Sequence, residues 1–376
     1  QTAYDNMKTR LFYVADVCSN TVCRGTTLPV SSLLMEDPTG GMAIAMNATG
    51  PEWGQIREQL AASRWGSTPD VSDLDAQGYD NTQVVTVIPA LETFAGIAKD
   101  HGYSRDQVRA IIRSGSKYVI YVLVMEGNAY LVKMFTTSGH PLTIIINSLT
   151  NEILYVYCTL TQPMGKRVPH DMLDYTNMYW YLLPLGIKAA SVKFWETFYV
   201  TVTGDDCAEA SPADFERDGA HVQRMSAELG FVITDAQDKS KPPQARALDE
   251  ISYLKRRFIV RDGLCIAPLE MKSIYKSLYM TGDLTPAEER ERNRGVLRNM
   301  NRELFLHHKD SHEEFLRQAR EIPWCPELET REELDLLLKK GYYTTWDTPS
   351  KVIQVIRIID VGESLASSRS RGLTES

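Results

Sequence analysis

The sequence predicts an α+β fold of two or three subdomains, with antiparallel strands through the middle of the chain and helices at its end. A chain of 376 residues, 43% of them hydrophobic and 24% charged, can bury a core large enough to divide. Two strand–turn–strand signals stand out. The run Phe198–Thr203, rich in β-branched and aromatic side chains, halts at Gly204, and Asp262-Gly263 separates the apolar runs 251–260 and 264–267. From Leu269 the pattern turns helical, with capping arrangements at Thr285-Pro286-Ala287-Glu288, Ser311-His312-Glu313-Glu314 and Thr330-Arg331-Glu332-Glu333. That shift sets a boundary near residue 260.

The elements follow in order. Lys8 to Val14 reads as a short strand with Lys8 and Arg10 on one face, since side chains two apart share a face. Residues 15–50, rich in small and turn-forming side chains, read as irregular. Pro51-Glu52-Trp53 opens a helix to about Ala62, with Ile56 and Leu60 inward. Trp65 to Asp75 carries three carboxylates within six residues, too many for a core strand, and Pro69 biases Thr68 to extended geometry. This puts Asp70 at a strand end and Asp75 one turn or loop further on. Residues 84–100 and 103–113 read as helices, the second capped by Ser104 with Gln107. Lys117 to Met125 and Asn128 to Phe135 read as strands. Segment 141–157 reads as a helix with Pro141 in its first turn, although Ile144-Ile145-Ile146 also suits a strand. Residues 158–195 are aromatic-rich and show no assignable pattern. Ser211-Pro212-Ala213-Asp214 reads as the cap of a helix 212–229, ended by Gly230. Phe231 to Thr234 is a strand, and the turn Asp235 to Lys241 carries Lys239. The Ser- and Arg-rich tail from about 364 reads as disordered.

Composition excludes several classes. No run of about 18 apolar residues is present, so no transmembrane helix is expected, and no apolar leader follows Gln1. The start reads as the middle of something longer, such as a polyprotein product. The six cysteines form no CxxC pair and read as free thiols of a reducing compartment. His307, His308 and His312 lack further ligands nearby in sequence and read as a solvated helix rather than a zinc site. A net charge of −8 means that nucleic-acid binding, if present, needs a local basic groove.

Candidate chemistry concentrates at Gly204-Asp205-Asp206. Gly204 accepts a positive φ, and only a turn lets two adjacent carboxylates approach one site, because neighbours on a strand point to opposite faces. Crowded carboxylates favour a divalent cation between them, and Mg²⁺ takes a few carboxylates plus substrate phosphates. By itself such a tip is more often simply solvated. Asp70 reads as a partner for it from 135 residues away, against the plainer reading of an acidic surface loop. Lys8 and Arg10 suit a triphosphate, against a solvated strand edge. Thr143, Asn147 and Asn151 share one face of helix 141–157. Buried amides and hydroxyls need partners, which a ligand or a neighbouring element supplies.

In this order the segments resemble the motifs of the RNA-dependent RNA polymerases of picorna-like positive-strand RNA viruses, with dicistrovirus- and marnavirus-like lineages nearest. Lys8-Thr9-Arg10 resembles the end of motif F, Asp70-x4-Asp75 motif A, and Ser138-Gly139-x3-Thr143-x3-Asn147-Ser148 motif B. Gly204-Asp205-Asp206 resembles motif C, helix 212–229 with Lys239 motif D, and Tyr253-Leu254-Lys255-Arg256 motif E. Thr203 stands where the family usually has Tyr, and Cys207 where Asn or Val is common. The 67 residues from Ser138 to Asp205 suggest an insertion around 160–190.

The resemblance implies a right hand of fingers, palm and thumb, with an antiparallel palm sheet flanked by helices and a helical thumb. It divides the chain into partial fingers (1–62), palm with motif A (63–82), a fingers insertion (83–130), palm with motifs B to E (131–260), and thumb and tail (261–376). It implies template-directed RNA synthesis with two Mg²⁺ ions, Mn²⁺ being a substitute, held by Asp70, Asp205 and Asp206 about 3.5–4 Å apart. Lys239 would protonate pyrophosphate. Lys8, Arg10, Asp75, Ser138, Gly139, Thr143 and Asn147 would bind the nucleotide, Asp75 and Asn147 reading its 2′-hydroxyl. A site built to bond a hydroxyl rejects the analogue lacking it by roughly 10⁴. Leu254, Lys255 and Arg256 would meet the primer backbone. Implied partners are RNA template and primer, nucleoside triphosphates, a protein primer and other viral replication proteins. The implied setting is the host cytoplasm at membrane-associated replication complexes. The rival readings are an inactive polymerase remnant and an RNA-binding replication scaffold.

Overall fold

A computed structural model of the chain describes residues 17–37, 39–79, 82, 85–125, 128–133, 140–279, 284–341 and 343. Lys8, Arg10, Ser138, Gly139 and the tail from 364 lie outside the described residues. The first element is helix α1 (Val17–Met35), which sequence reading made irregular. Gly25 and Pro29 hide its period, and five hydroxyls are absorbed by the helix itself. Thr21, Thr26, Thr27, Ser31 and Ser32 each donate to the carbonyl four residues back, a bond that competes poorly with caps and turns but satisfies the group.

Helix α2 (Pro51–Ala61) buries Trp53, Ile56 and Leu60 as its spacing requires. It is followed by strand β1 (Pro69–Gln77), then α3 (Val87–Asp100) and α4 (Arg105–Val119). Helix α4 runs six residues past the expected end, so hairpin strand β2 (Ile120–Met125) starts later, paired with β3 (Asn128–Lys133). The long helix α5 (Thr143–Thr161) settles the ambiguity at Ile144-Ile145-Ile146 in favour of helix. Two short helices, α6 (Met178–Leu182) and α7 (Ile187–Thr197), occupy the unassigned stretch.

Strands β4 (Tyr199–Thr203) and β5 (Asp206–Pro212) form the expected hairpin. The expected helix at 212–229 starts seven residues late. Pro212 is the end of β5, paired with Pro69, and helix α8 (Gly219–Glu228) is capped by the Asp218 carboxylate on the Ala220 amide, 2.9 Å. Strand β6 (Val232–Asp235) completes an antiparallel sheet of order β4-β5-β1-β6. Its apolar face packs on helices. Leu74 and Ala76 meet Leu154, Val222 and Phe231. Arg217, buried, joins β5 to α5 through Glu209 (2.9 Å) and Thr159 (2.9 Å).

The expected strand 251–260 is mostly a turn. Leu254 (φ +52°) and Lys255 (φ +58°) are both left-handed, and Tyr253 and Arg256 exchange backbone bonds of 3.0 and 2.9 Å, the pattern of a tight hairpin turn. Ile259–Arg261 (β7) forms the strand of this stretch, paired with β8 (Leu264–Ile266) around Asp262-Gly263 as expected. The remainder is helical: α9 (Met271–Lys276), α10 (Pro286–Phe305), α11 (Lys309–Ala319) and α12 (Arg331–Lys339). Capping boxes form at Thr285 and Thr330, whereas Ser311 lies inside α11, which begins at Lys309. His312 is buried on α11 and bonds Asn301 at 2.7 Å, not solvated as its sequence neighbourhood suggested. All six cysteines are free, as expected. Among the described residues no helix is long and apolar enough to cross a membrane.

Candidate active site at the Gly204-Asp205-Asp206 turn

Thr203 pairs with Asp206, so Gly204 and Asp205 form a two-residue loop. Gly204 takes φ +65°, a value that a side chain would make costly. Helix α5 holds this loop from behind. The Gly204 amide donates to Ser148 Oγ at 2.8 Å, and Asn151 Nδ2 donates to the carbonyls of Gly204 (3.3 Å) and Asp205 (3.2 Å). Asn151, read as one member of a polar stripe, thus finds its partners in the motif C backbone. Thr203 donates to Ala43 O at 3.1 Å and shares a 2.6 Å bond with the Tyr253 hydroxyl. Tyr253 belongs to the motif E segment, so three motifs meet at the tip.

Strand register decides which carboxylates join it. Along β1 and β5 the pairs run from Pro69↔Pro212 through Asp70↔Ser211 to Leu74↔Cys207. One step further puts Asp75 opposite Asp206. Asp70 lies five steps away, about 17 Å at the usual strand rise, and on the opposite face, since five is odd. The charges acting on Asp70 are Arg167 and Asp214, at the far end of β5. Asp70 is therefore not brought to the tip, and the sequence expectation that it partners Asp205 is corrected.

Electrostatics agree with the register. Burial first, then the Asp205 carboxylate, pushes Asp206 up to about 6; Asp75 adds to the push and Lys255 opposes it. Asp205 is exposed, while Asp206 and Asp75 are half-buried. Lys239 Nζ sits 2.8 Å from Asp75 Oδ2. Among the described residues no three His, Cys, Asp or Glu side chains are gathered closely enough to cage a metal ion. The donor chemistry nonetheless suits one: Asp75, Asp205 and Asp206 offer hard oxygen ligands of the kind Mg²⁺ takes, and burial together with the neighbouring Asp205 carboxylate disfavours a bare charge on Asp206.

On α5, the Thr143 hydroxyl donates to His140 O (2.8 Å), and the Asn147 carbonyl accepts from the Tyr79 hydroxyl (2.8 Å). Both residues keep the face that the sequence assigned them, one and two turns before Asn151. Of the motif E residues, Lys255 is exposed and acts electrostatically on Asp206, and Leu254 is half-buried beside it. Arg256 is a correction. It is 7% exposed, and its guanidinium meets Glu303 of α10 at 2.9 and 2.6 Å and Ala267 O at 2.7 Å. A side chain so committed joins motif E to the helical end of the chain and does not face RNA.

Glu152, next to Asn151 on α5, is pushed up to about 7 by burial. A carboxyl raised in the folded state adds stability while protonated in both states. That contribution is full below its ordinary value near 4.5 and is lost as pH rises through about 7. Glu152→Gln should therefore gain on the wild type in melting temperature between pH 4.5 and 7. Parallel melting curves over that range would contradict this.

A family model described as viral RNA-dependent RNA polymerase matches residues 3–321. The chain belongs to that family. Its relatives are polymerases and polyproteins of picorna-like positive-strand RNA viruses. This polymerase-family chain is 28% identical to the RNA1 polyprotein of Andean potato mottle virus over 332 residues, 85% of the chain and 41% of that polyprotein. It is 32% identical to the RNA1 polyprotein of Red clover mottle virus over 209 residues, 54% of the chain and 10% of the polyprotein. The chain spans less than half the length of these relatives. Among solved structures it is similar to the Sicinivirus 3Dpol RNA dependent RNA polymerase, with TM-score 0.67, 16% identity, and coverage of 90% of this chain and 64% of that one. At that identity the likeness is one of fold, a mixed α/β architecture resembling the right hand of fingers, palm and thumb.

Two features escaped sequence reading. The spacing Asp-x4-Asp occurs twice in overlap, as Asp70-x4-Asp75 and Asp75-x4-Asp80. The second starts at the carboxylate beside the tip and was the available signal, although Asp80 itself lies outside the described residues. Arg246, which holds Asp73 and Asp235 at 3.1 and 2.6 Å, carried no motif at all.

Proposed function

We propose that this chain performs template-directed RNA synthesis, joining a nucleoside triphosphate to an RNA 3′-hydroxyl. The observation that carries this reading is the β1–β5 register, which ends at Leu74↔Cys207 and so leads Asp75 towards Asp206, whose carboxylate feels the charges of Asp75 and Asp205, with Lys239 on Asp75. Asp75, Asp205 and Asp206 are the residues that would hold two Mg²⁺ ions, or Mn²⁺ in their place. When bound, such ions lower the pKa of an attacking hydroxyl and stabilise charge on a leaving pyrophosphate.

The chain's own residues supply the rest. Lys239 carries a proton at Nζ and delivers it to the leaving pyrophosphate. Its pairing with Asp75 holds it beside the reaction until substrate arrives. Thr143 and Asn147, on the α5 face that ends at the tip, read the 2′-hydroxyl, which is both donor and acceptor. The ribose-reading role first given to Asp75 passes to Asp80. Lys8 and Arg10 keep their role at the triphosphate, and Ser138 and Gly139 theirs in binding the nucleotide, as part of the same proposal. Lys255, with Leu254 beside it, meets the primer phosphates, fixing position but not sequence. The domain division, the protein primer, partnership with other replication proteins and residence at cytoplasmic membrane-associated replication complexes belong to this reading. So does the dicistrovirus- or marnavirus-like placement, which a phylogeny grouping the chain with RNA1 polyproteins instead would reject.

Primer extension on a homopolymer template tests the function. The protein is expected to extend the primer and Asp205→Ala to lose extension. Extension that persists in Asp205→Ala rejects the metal-holding role. RNA binding with no extension by the wild type favours the scaffold or remnant.

A further inference from the structure

The chemistry above leaves unused a cluster of buried charge beside it. Asp73 lies two residues before Asp75 on the same face of β1, about 7 Å along the strand. Its carboxylate is fully buried and accepts from Arg246 Nη1 (3.1 Å) and the Ser252 amide (2.7 Å). Asp235, at the end of β6, is buried equally. Arg246 reaches it through Nη2 on Oδ1 (2.7 Å) and Nη1 on Oδ2 (2.6 Å). Asp235 also accepts from the amides of Gln237 (3.0 Å), Asp238 (2.9 Å) and Gln244 (3.3 Å). One guanidinium thus ties the strand that carries Asp75 to the turn that carries Lys239.

The arrangement exceeds what the fold alone needs. Two buried carboxylates cost stability unless paired and hydrogen-bonded, and an apolar cluster would pack as well. A fork of fixed geometry is the device for holding two carboxylates at set positions. Lys239 itself is exposed, so its place is set by its turn and not by packing around its stem. We infer that Arg246 is a positioning residue acting through Lys239: it holds the turn from Asp235 so that the Lys239 ammonium stays on Asp75 and in line with the leaving group. This rests on the proton-donor role proposed for Lys239.

Two readouts test it, one without catalysis. In metal-free protein, acetylation of Lys239 by acetic anhydride, followed peptide by peptide, reports how firmly its ammonium is held. Arg246→Lys keeps the charge but loses the fork, and Asp235→Asn keeps the shape but weakens the tie. Both are expected to raise Lys239 acetylation several-fold while Lys188, remote on α7, reacts as before. An unchanged Lys239 rate in whichever variant melts cooperatively overturns the inference, whether or not the protein is a polymerase. The second readout is the rate of single-nucleotide incorporation. Arg246→Lys is expected to slow it about 10²-fold, the scale of a small misplacement, yet in a Lys239→Ala background to cost no more than about twofold, the limit of independence. Equal losses in both backgrounds make Arg246 merely structural and overturn the inference. No incorporation by the wild type rejects the polymerase reading instead and leaves the labelling result to decide.

Discussion

Asp75→Ala is expected to reduce nucleotide incorporation by about 10³-fold or more, the scale on which removing a group that stabilises developing charge acts. Asp70→Ala is expected to leave incorporation within about twofold, as remote independent sites do. The contrast comes from register. Asp75 follows the Leu74↔Cys207 pair and so faces Asp206, whereas Asp70 is paired with Ser211 at the other end of the same two strands. Asp206 feels the charge of Asp75 and Asp205, while Asp70 feels Arg167 and Asp214. A single-turnover assay with both variants at saturating nucleotide checks this. Equal loss in the two variants would contradict it.

Arg256→Ala should destabilise the protein by about 3–5 kcal/mol, because removing one partner of a buried pair strands the other charge. Both side chains of the Arg256–Glu303 pair are 9% exposed, and the bonds are short and forked, 2.9 and 2.6 Å. The pair spans 47 residues and joins the motif E turn to α10. Around it, Trp53 of α2 stacks on Phe258 at 4.3 Å and bonds Arg257 O at 3.2 Å, so loosening Arg256 also frees the turn that presents Lys255. Replacing both members, Arg256→Met with Glu303→Leu, should recover most of the loss, since an apolar pair of similar volume is often no worse than a buried ion pair. Urea denaturation of the two variants beside the wild type measures this. A midpoint for Arg256→Ala equal to wild type would show that the pair carries no weight.

Local chemistry was legible where residues state it themselves. Gly204 before two carboxylates gave the hairpin tip, Asp262-Gly263 gave the second hairpin, and Thr285 and Thr330 gave capped helices, because each depends only on neighbours within three or four residues. The polar face of α5 was legible as a stripe, but its partner was not, since Asn151 bonds a backbone 53 residues away. Asp70 and Asp75 open and close one Asp-x4-Asp spacing, and only pairing with β5 tells which end meets the tip. Register flips faces with each single-residue step and leaves no trace in composition. Arg256 reads like a surface cation because its carboxylate partner lies on another element. Helix α1 was missed because its hydroxyls, Gly25 and Pro29 imitate a loop.

Manganese binding followed by electron paramagnetic resonance tests the central claim, that Asp75 and not Asp70 joins Asp205 and Asp206 around divalent cations. The account predicts that Asp70→Ala binds Mn²⁺ as the wild type does and that Asp75→Ala loses binding as Asp205→Ala does. Binding kept by Asp75→Ala and lost by Asp70→Ala would contradict it.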